Sequence, residues 1–199
     1  MPSIYERKAE YWTRDLADRS LEQAVRSGLE ALGWEYQDNT AAFDRPDFYI
    51  FRSVRGQRVR VALEVKEKRQ PYRERWAQIA GVPTTELLIL DEVAARKLLA
   101  WAPRAALLFW DETQSGQPYV LFTIVDLLCM PKVRVRRTIV RNSQQFKAKW
   151  LLDRRHGRPF SDLNSALSAL ASYVDREIWD DLRRVELHGS FVGEKVETL

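Results

Sequence analysis

Apolar residues along this chain repeat first at helical and then at strand spacing. Tyr5, Ala9, Trp12 and Leu16 recur every three to four positions, which predicts an amphipathic helix over the first 17 residues. A second helix is announced by Ser20 three residues before Gln23 and closed by Gly33. A hydroxyl at the N-cap satisfies an amide of the first turn, and glycine takes the left-handed conformation that ends a helix. Leu21, Ala24, Val25, Gly28, Leu29 and Leu32 form the buried face of that helix. The period then falls to two. Phe48 to Phe51 reads as a short strand and Gln57 to Lys68 as a long one, joined as a hairpin by Arg52 to Gly56. In the long strand Val59, Val61, Leu63 and Val65 alternate with Arg58, Arg60, Ala62, Glu64, Lys66 and Lys68.

After Pro71 the pattern is helical around Tyr72 to Ala80, Glu86 to Leu90 reads as a short buried strand, and Asp91 caps a helix through Trp101 that Pro103 stops. Ala105 to Trp110 and Tyr119 to Val125 are apolar enough for interior strands, separated by the turn-rich Gln114 to Pro118. Two basic strands follow, Lys132 to Arg141 and Phe146 to Asp153. Ser161 then caps a long final helix in which Leu163, Ala166, Leu167, Leu170, Val174, Ile178 and Leu182 share a face. The class is α/β, with a mixed sheet flanked by helices.

A chain of 199 residues, 45% hydrophobic and 30% charged, suits a single well-cored domain. We place its core at about residues 18–126 and the basic strands and final helix at about 127–185. One cysteine, Cys129, excludes an internal disulfide, and with only His156 and His188 beside it a structural zinc site is not expected. The first residues lack an apolar signal core and no apolar run is long enough to span a bilayer, so the expected location is the cytoplasm, away from membranes.

Charge is distributed unevenly. Ten basic residues between Leu127 and Phe160 (Lys132, Arg134, Arg136, Arg137, Arg141, Lys147, Lys149, Arg154, Arg155 and Arg158) stand against Asp153 alone. That segment is +9 in a chain of net +4, so the remainder is 5 units negative. Arg134 and Arg136 share one strand face, as do Lys147 and Lys149, which fits a positive sheet surface able to follow a phosphate backbone. Arg137, Arg154 and Arg155 would add to it. Solubility charge is the plainer alternative.

The chemistry lies in the hairpin. Asp47 follows Pro46 at the start of one strand, and Glu64 lies on the next, two residues before Lys66 on the same face. A carboxylate from each of two neighbouring strands is a minimal hard-oxygen cage for Mg²⁺ or Mn²⁺, to which the Val65 carbonyl could add a ligand. A lysine beside such an ion offers a positive charge for a scissile phosphate or, with its pKa depressed by the ion and by burial, helps deprotonate the attacking water. Lys68 shares the Lys66 face and is placed for a neighbouring phosphate rather than for the same metal.

Arg45-Pro46-Asp47-Phe48 followed by Leu63-Glu64-Val65-Lys66 resembles the PD-(D/E)XK signature of the restriction-endonuclease-like nucleases. The match covers roughly residues 20 to 68. Members of that family often carry a glutamate on the first core helix that reaches the metal through water. Glu22, eleven residues before Gly33-Trp34, resembles the arrangement in archaeal Holliday-junction resolvases. The resemblance implies a restriction-endonuclease-like mixed β-sheet flanked by helices, to which the chain's own pattern adds the basic C-terminal strands and a long C-terminal helix. It also implies a Mg²⁺- or Mn²⁺-dependent nuclease acting on nucleic acid, with DNA favoured, and a homodimer or partner subunit for double-strand cleavage. The other reading is a non-catalytic binding or assembly module on the same fold, in which Glu64 and Lys66 are the solvated face of a half-exposed sheet and Glu22 is an acid favoured by the helix dipole.

Overall fold

In the computed structural model, residues 20–42, 44–138, 146–175 and 195–198 are described, with 137–138, 146–147 and 195–198 as backbone. The expected N-terminal helix, Arg141 and the distal turns of the final helix (Ile178, Leu182) lie outside these residues.

The first described helix, α1 (Leu21–Ala31), starts and stops as its sequence dictates. Ser20 accepts the Gln23 amide at 3.1 Å. Gly33, at φ 63°, turns the chain so that the Trp34 amide reaches back to the Leu29 carbonyl at 2.9 Å. Leu21, Val25 and Leu29 are buried, each stabilising the fold by about 1.5–3 kcal/mol. Strand β1 (Glu35–Asp38) follows, with no hydrophobic alternation to announce it. Strands β2 (Phe48–Val54) and β3 (Gln57–Lys68) form the expected hairpin through Arg55 and Gly56, both at positive φ, the turn geometry that matches strand twist.

The chain continues through α2 (Glu74–Ala80), β4 (Leu87–Asp91) and α3 (Glu92–Leu99) before β5 (Ala105–Asp111) returns parallel to β3. Strand β6 (Tyr119–Thr123) ends earlier than the apolar run suggests. Thr123 and Asp126 make a reciprocal capping box that starts a short helix, α4 (Ile124–Cys129). Then come β7 (Lys132–Thr138), β8 (Phe146–Asp153), β9 (Arg158–Phe160), α5 (Leu163–Asp175) and β10 (Lys195–Thr198). At α5 the capping oxygen belongs to Asp162, which accepts the Ser165 amide at 2.8 Å, rather than to Ser161. Asp91 likewise sits at the N-cap of α3 without a capping bond, its carboxylate 3.0 Å from Lys149 instead.

Two sheets result: a six-stranded mixed sheet in the order β1-β2-β3-β5-β6-β9, and a four-stranded one in the order β10-β7-β8-β4. Helices α1 and α5 cover one face of the large sheet, packing on Val61, Leu63, Val65, Leu108 and Leu121. Gly28 brings them close, for a Cβ there would stand 2.8 Å from Leu167 Cδ1. On the opposite face Ala62, Leu107, Phe109 and Phe122 meet α3 and the inner side of the small sheet, Leu88, Leu90, Trp150 and Leu152. Helix α2 closes the outer side over Leu87, Val135 and Leu151. The mixed α/β class with flanking helices is as the sequence predicts. Among the described residues no helix is long and apolar enough to cross a membrane.

Candidate active site

The hairpin brings the acidic pair together by continuing a strand with a side chain. The ladder between β2 and β3 ends at Phe48 opposite Leu63, so the Val65 amide has no partner strand on that side. Asp47 supplies one: its Oδ2 accepts the Val65 N–H at 2.8 Å. The turn before Asp47 is held by Asn39, whose amide donates to the Asp47 carbonyl at 2.8 Å and whose Nδ2 donates to the Pro46 carbonyl at 3.2 Å. Asp47 is thereby fixed on the flank of β3, level with Glu64 and Lys66.

Lys66 joins the two acids. Its Nζ lies 2.8 Å from Glu64 Oε1 and 3.4 Å from Asp47 Oδ2. It also donates to the Val65 carbonyl at 2.8 Å, the carbonyl expected as a metal ligand. Glu64 is almost fully buried, 1% exposed, and Asp47 is buried too. A second ammonium, that of Lys97 on α3, stands 3.1 Å from Glu64 Oε2 and donates to the Arg45 carbonyl at 2.7 Å. Its approach to Glu64 is off the hydrogen-bond direction, so Oε2 is a buried oxygen with no hydrogen-bond partner.

These contacts set the protonation tendencies. Burial pushes the Glu64 carboxyl above its ordinary value and the Asp47 charge adds to this, while Lys66 and Lys97 pull it down without cancelling the rise. Burial works against the Lys66 ammonium, but Asp47 and Glu64 outweigh it and hold its pKa above the ordinary value. Burial alone therefore does not turn Lys66 into a base; beside these two acids it is a firm cation. Glu22 is half-buried on the first turn of α1, and its carboxyl is raised by burial first and by Asp47 second, with Lys66 lowering it. The Leu21 amide donates to Glu67 Oε1 of β3, which seats the start of α1 beside the site. Glu22 thus feels the charges of Asp47 and Lys66 without a direct bond to either. Among the described residues no group of three or more His, Cys, Asp and Glu side chains gathers as a metal cage.

Lys68 corrects its sequence reading. Its side chain is fully buried, with Nζ 2.9 Å from Asp111 Oδ2, 3.3 Å from the Thr84 carbonyl and 5.5 Å from the centre of the Tyr72 ring. Strand β5 and the loop before β4 close over it, so it presents no charge to a phosphate.

The positive sheet surface is also redrawn. Residues directly opposite in an antiparallel ladder share a face. Arg134 faces Trp150 and Arg136 faces Ala148, whereas Lys149 faces Val135. The arginine pair therefore lies on the inner face, toward α3, and the Lys147 and Lys149 positions on the outer face, toward α2. Arg134 is largely covered and paired with Glu92, Lys149 pairs with Asp91, and Arg136 is exposed. Arg154 donates to the Gln117 carbonyl at 2.6 Å, and Arg155 pairs with Asp153 at 2.6 Å. The side chains of Arg137 and Lys147 fall outside the described residues.

Sequence reasoning missed Asn39 and Lys97. Asn39 carries no signal beyond a turn-forming residue before Pro46-Asp47. Lys97 sits among Ala94, Leu98 and Trp101 on the apolar side of its helix, an anomaly that could have marked it.

No family model and no curated protein matches this chain. Among solved structures it is similar to Archaeoglobus fulgidus Hjc, a Holliday junction resolvase from an archaeal hyperthermophile, at 15% identity over 74% of this chain and 98% of that one, with a TM-score of 0.39. It is also similar to D212, a nuclease from a fusselovirus, at 11% identity over 87% of this chain and 98% of that one, with a TM-score of 0.41. The functional reading of this site rests on its own geometry.

Proposed function

We propose that this chain is a divalent-metal-dependent nuclease that hydrolyses phosphodiester bonds in nucleic acid, with DNA the favoured substrate. One observation carries the reading: Asp47 and Glu64, from different segments, converge on the single ammonium of Lys66. The donor set suits Mg²⁺ or Mn²⁺, since two buried carboxylates are hard oxygen ligands and Glu64 Oε2 is a buried oxygen without a hydrogen bond. Asp47 and Glu64 would hold the ion, with the Val65 carbonyl released to it if Lys66 swings aside, and Glu22 placed to order water around it. A bound divalent ion would polarise the phosphate and make a bound water more acidic.

The side chains have separate tasks. Asp47 keeps its position through the Val65 amide, and its other oxygen would be available to the ion. Lys66, a cation held by two acids, offers its charge to the non-bridging oxygens of the phosphate as negative charge develops there. Its proton-accepting role would require the ion to displace it from the carboxylates first. Exposed Arg136 on the α3 side would supply backbone contacts to the substrate.

A second reading has its own observation in favour. Two lysines already balance the two acids, which is also how a structural ion cluster in a non-catalytic binding or assembly module would look. Cleavage of supercoiled and linear plasmid, single-stranded DNA and RNA with Mg²⁺ or Mn²⁺, with Asp47→Ala and Lys66→Ala in parallel and their folds checked by circular dichroism, separates the two. Cutting by the wild type alone supports the enzyme. Binding by all three proteins with no cutting supports the module.

A further inference from the structure

Lys97 ties together, from outside the hairpin, the two segments that carry the acids. Its Nζ is 3.1 Å from Glu64 Oε2 on β3 and 2.7 Å from the carbonyl of Arg45, two residues before Asp47. Pro46 stands between with its backbone restricted by the ring, so fixing Arg45 also constrains where Asp47 begins. Lys66 also spans the two acids, reaching Asp47 at 3.4 Å, but it does so from β3 itself. It shares a strand with Glu64 and donates to the carbonyl of its own neighbour, Val65. Lys97 comes from a different element, anchored by the buried Ala94, Ala95 and Leu98 of α3.

The environment argues against an incidental surface lysine. The Lys97 side chain is 13% exposed and that of Glu64 1%, so both charges are largely withdrawn from water. Such a charge persists when paired and bonded, and here the ammonium has a carboxylate and a carbonyl. Its position beside Oε2 leaves that oxygen's hydrogen-bonding capacity unused. An ion could therefore share Oε2 without evicting the lysine.

We propose that Lys97 is a positioning residue: a built-in counter-ion that clamps Glu64 to the Arg45 to Asp47 segment and holds the two carboxylates in register before a metal arrives. This rests on the metal-site reading above. With Lys66 and Lys97 opposite Asp47 and Glu64, a divalent ion enters a cluster that is already neutral. Without Lys97 one buried carboxylate lacks its balance, and the ion takes over both neutralisation and alignment.

The test compares the wild type with Lys97→Met and Lys97→Arg by thermal unfolding in EDTA and in Mn²⁺, by Mn²⁺ binding followed through the EPR signal of the free ion, and by steady-state cleavage. Lys97→Met should melt earlier in EDTA and recover most of that loss in Mn²⁺. It should bind Mn²⁺ on the order of ten-fold more tightly, because a nearby positive charge is gone. Its kcat should fall with KM for nucleic acid unchanged, and Lys97→Arg should restore wild-type behaviour on each measure. Equal Mn²⁺ stabilisation of the wild type and Lys97→Met, with kcat unaffected, would overturn the proposal. If Lys97→Met does not fold, the double variant Lys97→Met/Glu64→Gln should fold again, and its failure to do so counts against the clamp. A wild type that takes up no Mn²⁺, with Glu64→Gln still rescuing Lys97→Met, would uphold the clamp and overturn the metal reading.

Discussion

The Lys66 ammonium lies 2.8 Å from Glu64 Oε1, two residues back on the same strand face, and reaches Asp47 of the neighbouring segment at 3.4 Å. The pair is positioned by the strand period, while the third member is brought in by the Asp47 bond to the Val65 amide. Lys66→Met should therefore remove a charge from the transition state and also one counter-ion of the two buried acids, so its folding is checked by circular dichroism in parallel. Cleavage should fall by about 100- to 1000-fold in kcat, the range for losing one electrostatic stabiliser, with nucleic-acid affinity little changed. Lys66→Arg should not restore it, because a planar guanidinium cannot replace a compact ammonium between two acids. Single-turnover kinetics with a fluorescent oligonucleotide would measure both, and a Lys66→Met enzyme at wild-type rate would remove Lys66 from the chemistry.

Lys68 and Asp111 form a different kind of pair, with both side chains wholly buried. Removing one partner strands the other's charge in the interior, at a cost of about 3–5 kcal/mol. Lys68→Ala and Asp111→Ala should each lower the urea midpoint by that equivalent. The double change Lys68→Met/Asp111→Leu should recover most of it, since apolar residues of similar size replace a buried ion pair at little net cost. Additive losses in the double variant would show that the two charges do not act as a unit.

The contrast between Lys66 and Lys68 shows what the sequence could and could not reveal. Alternation placed Glu64, Lys66 and Lys68 on one face, and Ser20 and Gly33 gave the ends of α1, because period and cap chemistry are local. Whether a lysine on that face meets solvent depends on what packs above it. Here Asp111 and the Thr84 and Thr85 carbonyls cover Lys68, at separations of 16 to 43 residues in the chain. Lys97 escaped for the same reason, since its partners Glu64 and Arg45 lie far earlier in the sequence. Strand β1 was illegible because its residues are mostly exposed and carry no alternation, and α4 because a buried helix turn and a buried strand share one apolar pattern.

Asp153 offers a pH-dependent test of the turn after β8. Burial opposes its ionisation, but the Arg155 side chain and backbone amide outweigh burial, leaving its pKa below the ordinary value. A carboxyl lowered on folding binds its proton less readily in the native than in the unfolded chain. Its contribution to stability is therefore complete above the unfolded pKa and is lost as pH falls through the folded one. Melting temperatures of the wild type and Asp153→Asn should differ by a constant amount above about pH 5, and the gap should close on acidification toward the lowered pKa. A gap that persists at acid pH would assign the effect of Asn to packing.

The register of β7 and β8 makes a distinction that net charge does not. Arg136 is exposed on the face toward α3, the helix that also carries Lys97, whereas Lys149 lies on the other face, half-buried and paired with Asp91. If nucleic acid approaches the site from the α3 side, reversing Arg136 removes a phosphate contact and reversing Lys149 does not. Arg136→Glu should then weaken binding and reduce the slope of log affinity against log salt by about 0.9 for duplex DNA, the increment for one contact. Lys149→Glu should leave that slope near the wild-type value, its main effect being repulsion from Asp91. Fluorescence anisotropy with a labelled duplex across a salt series gives both slopes. Equal losses from the two reversals would mean that the basic segment attracts nucleic acid through its overall charge, with neither face preferred.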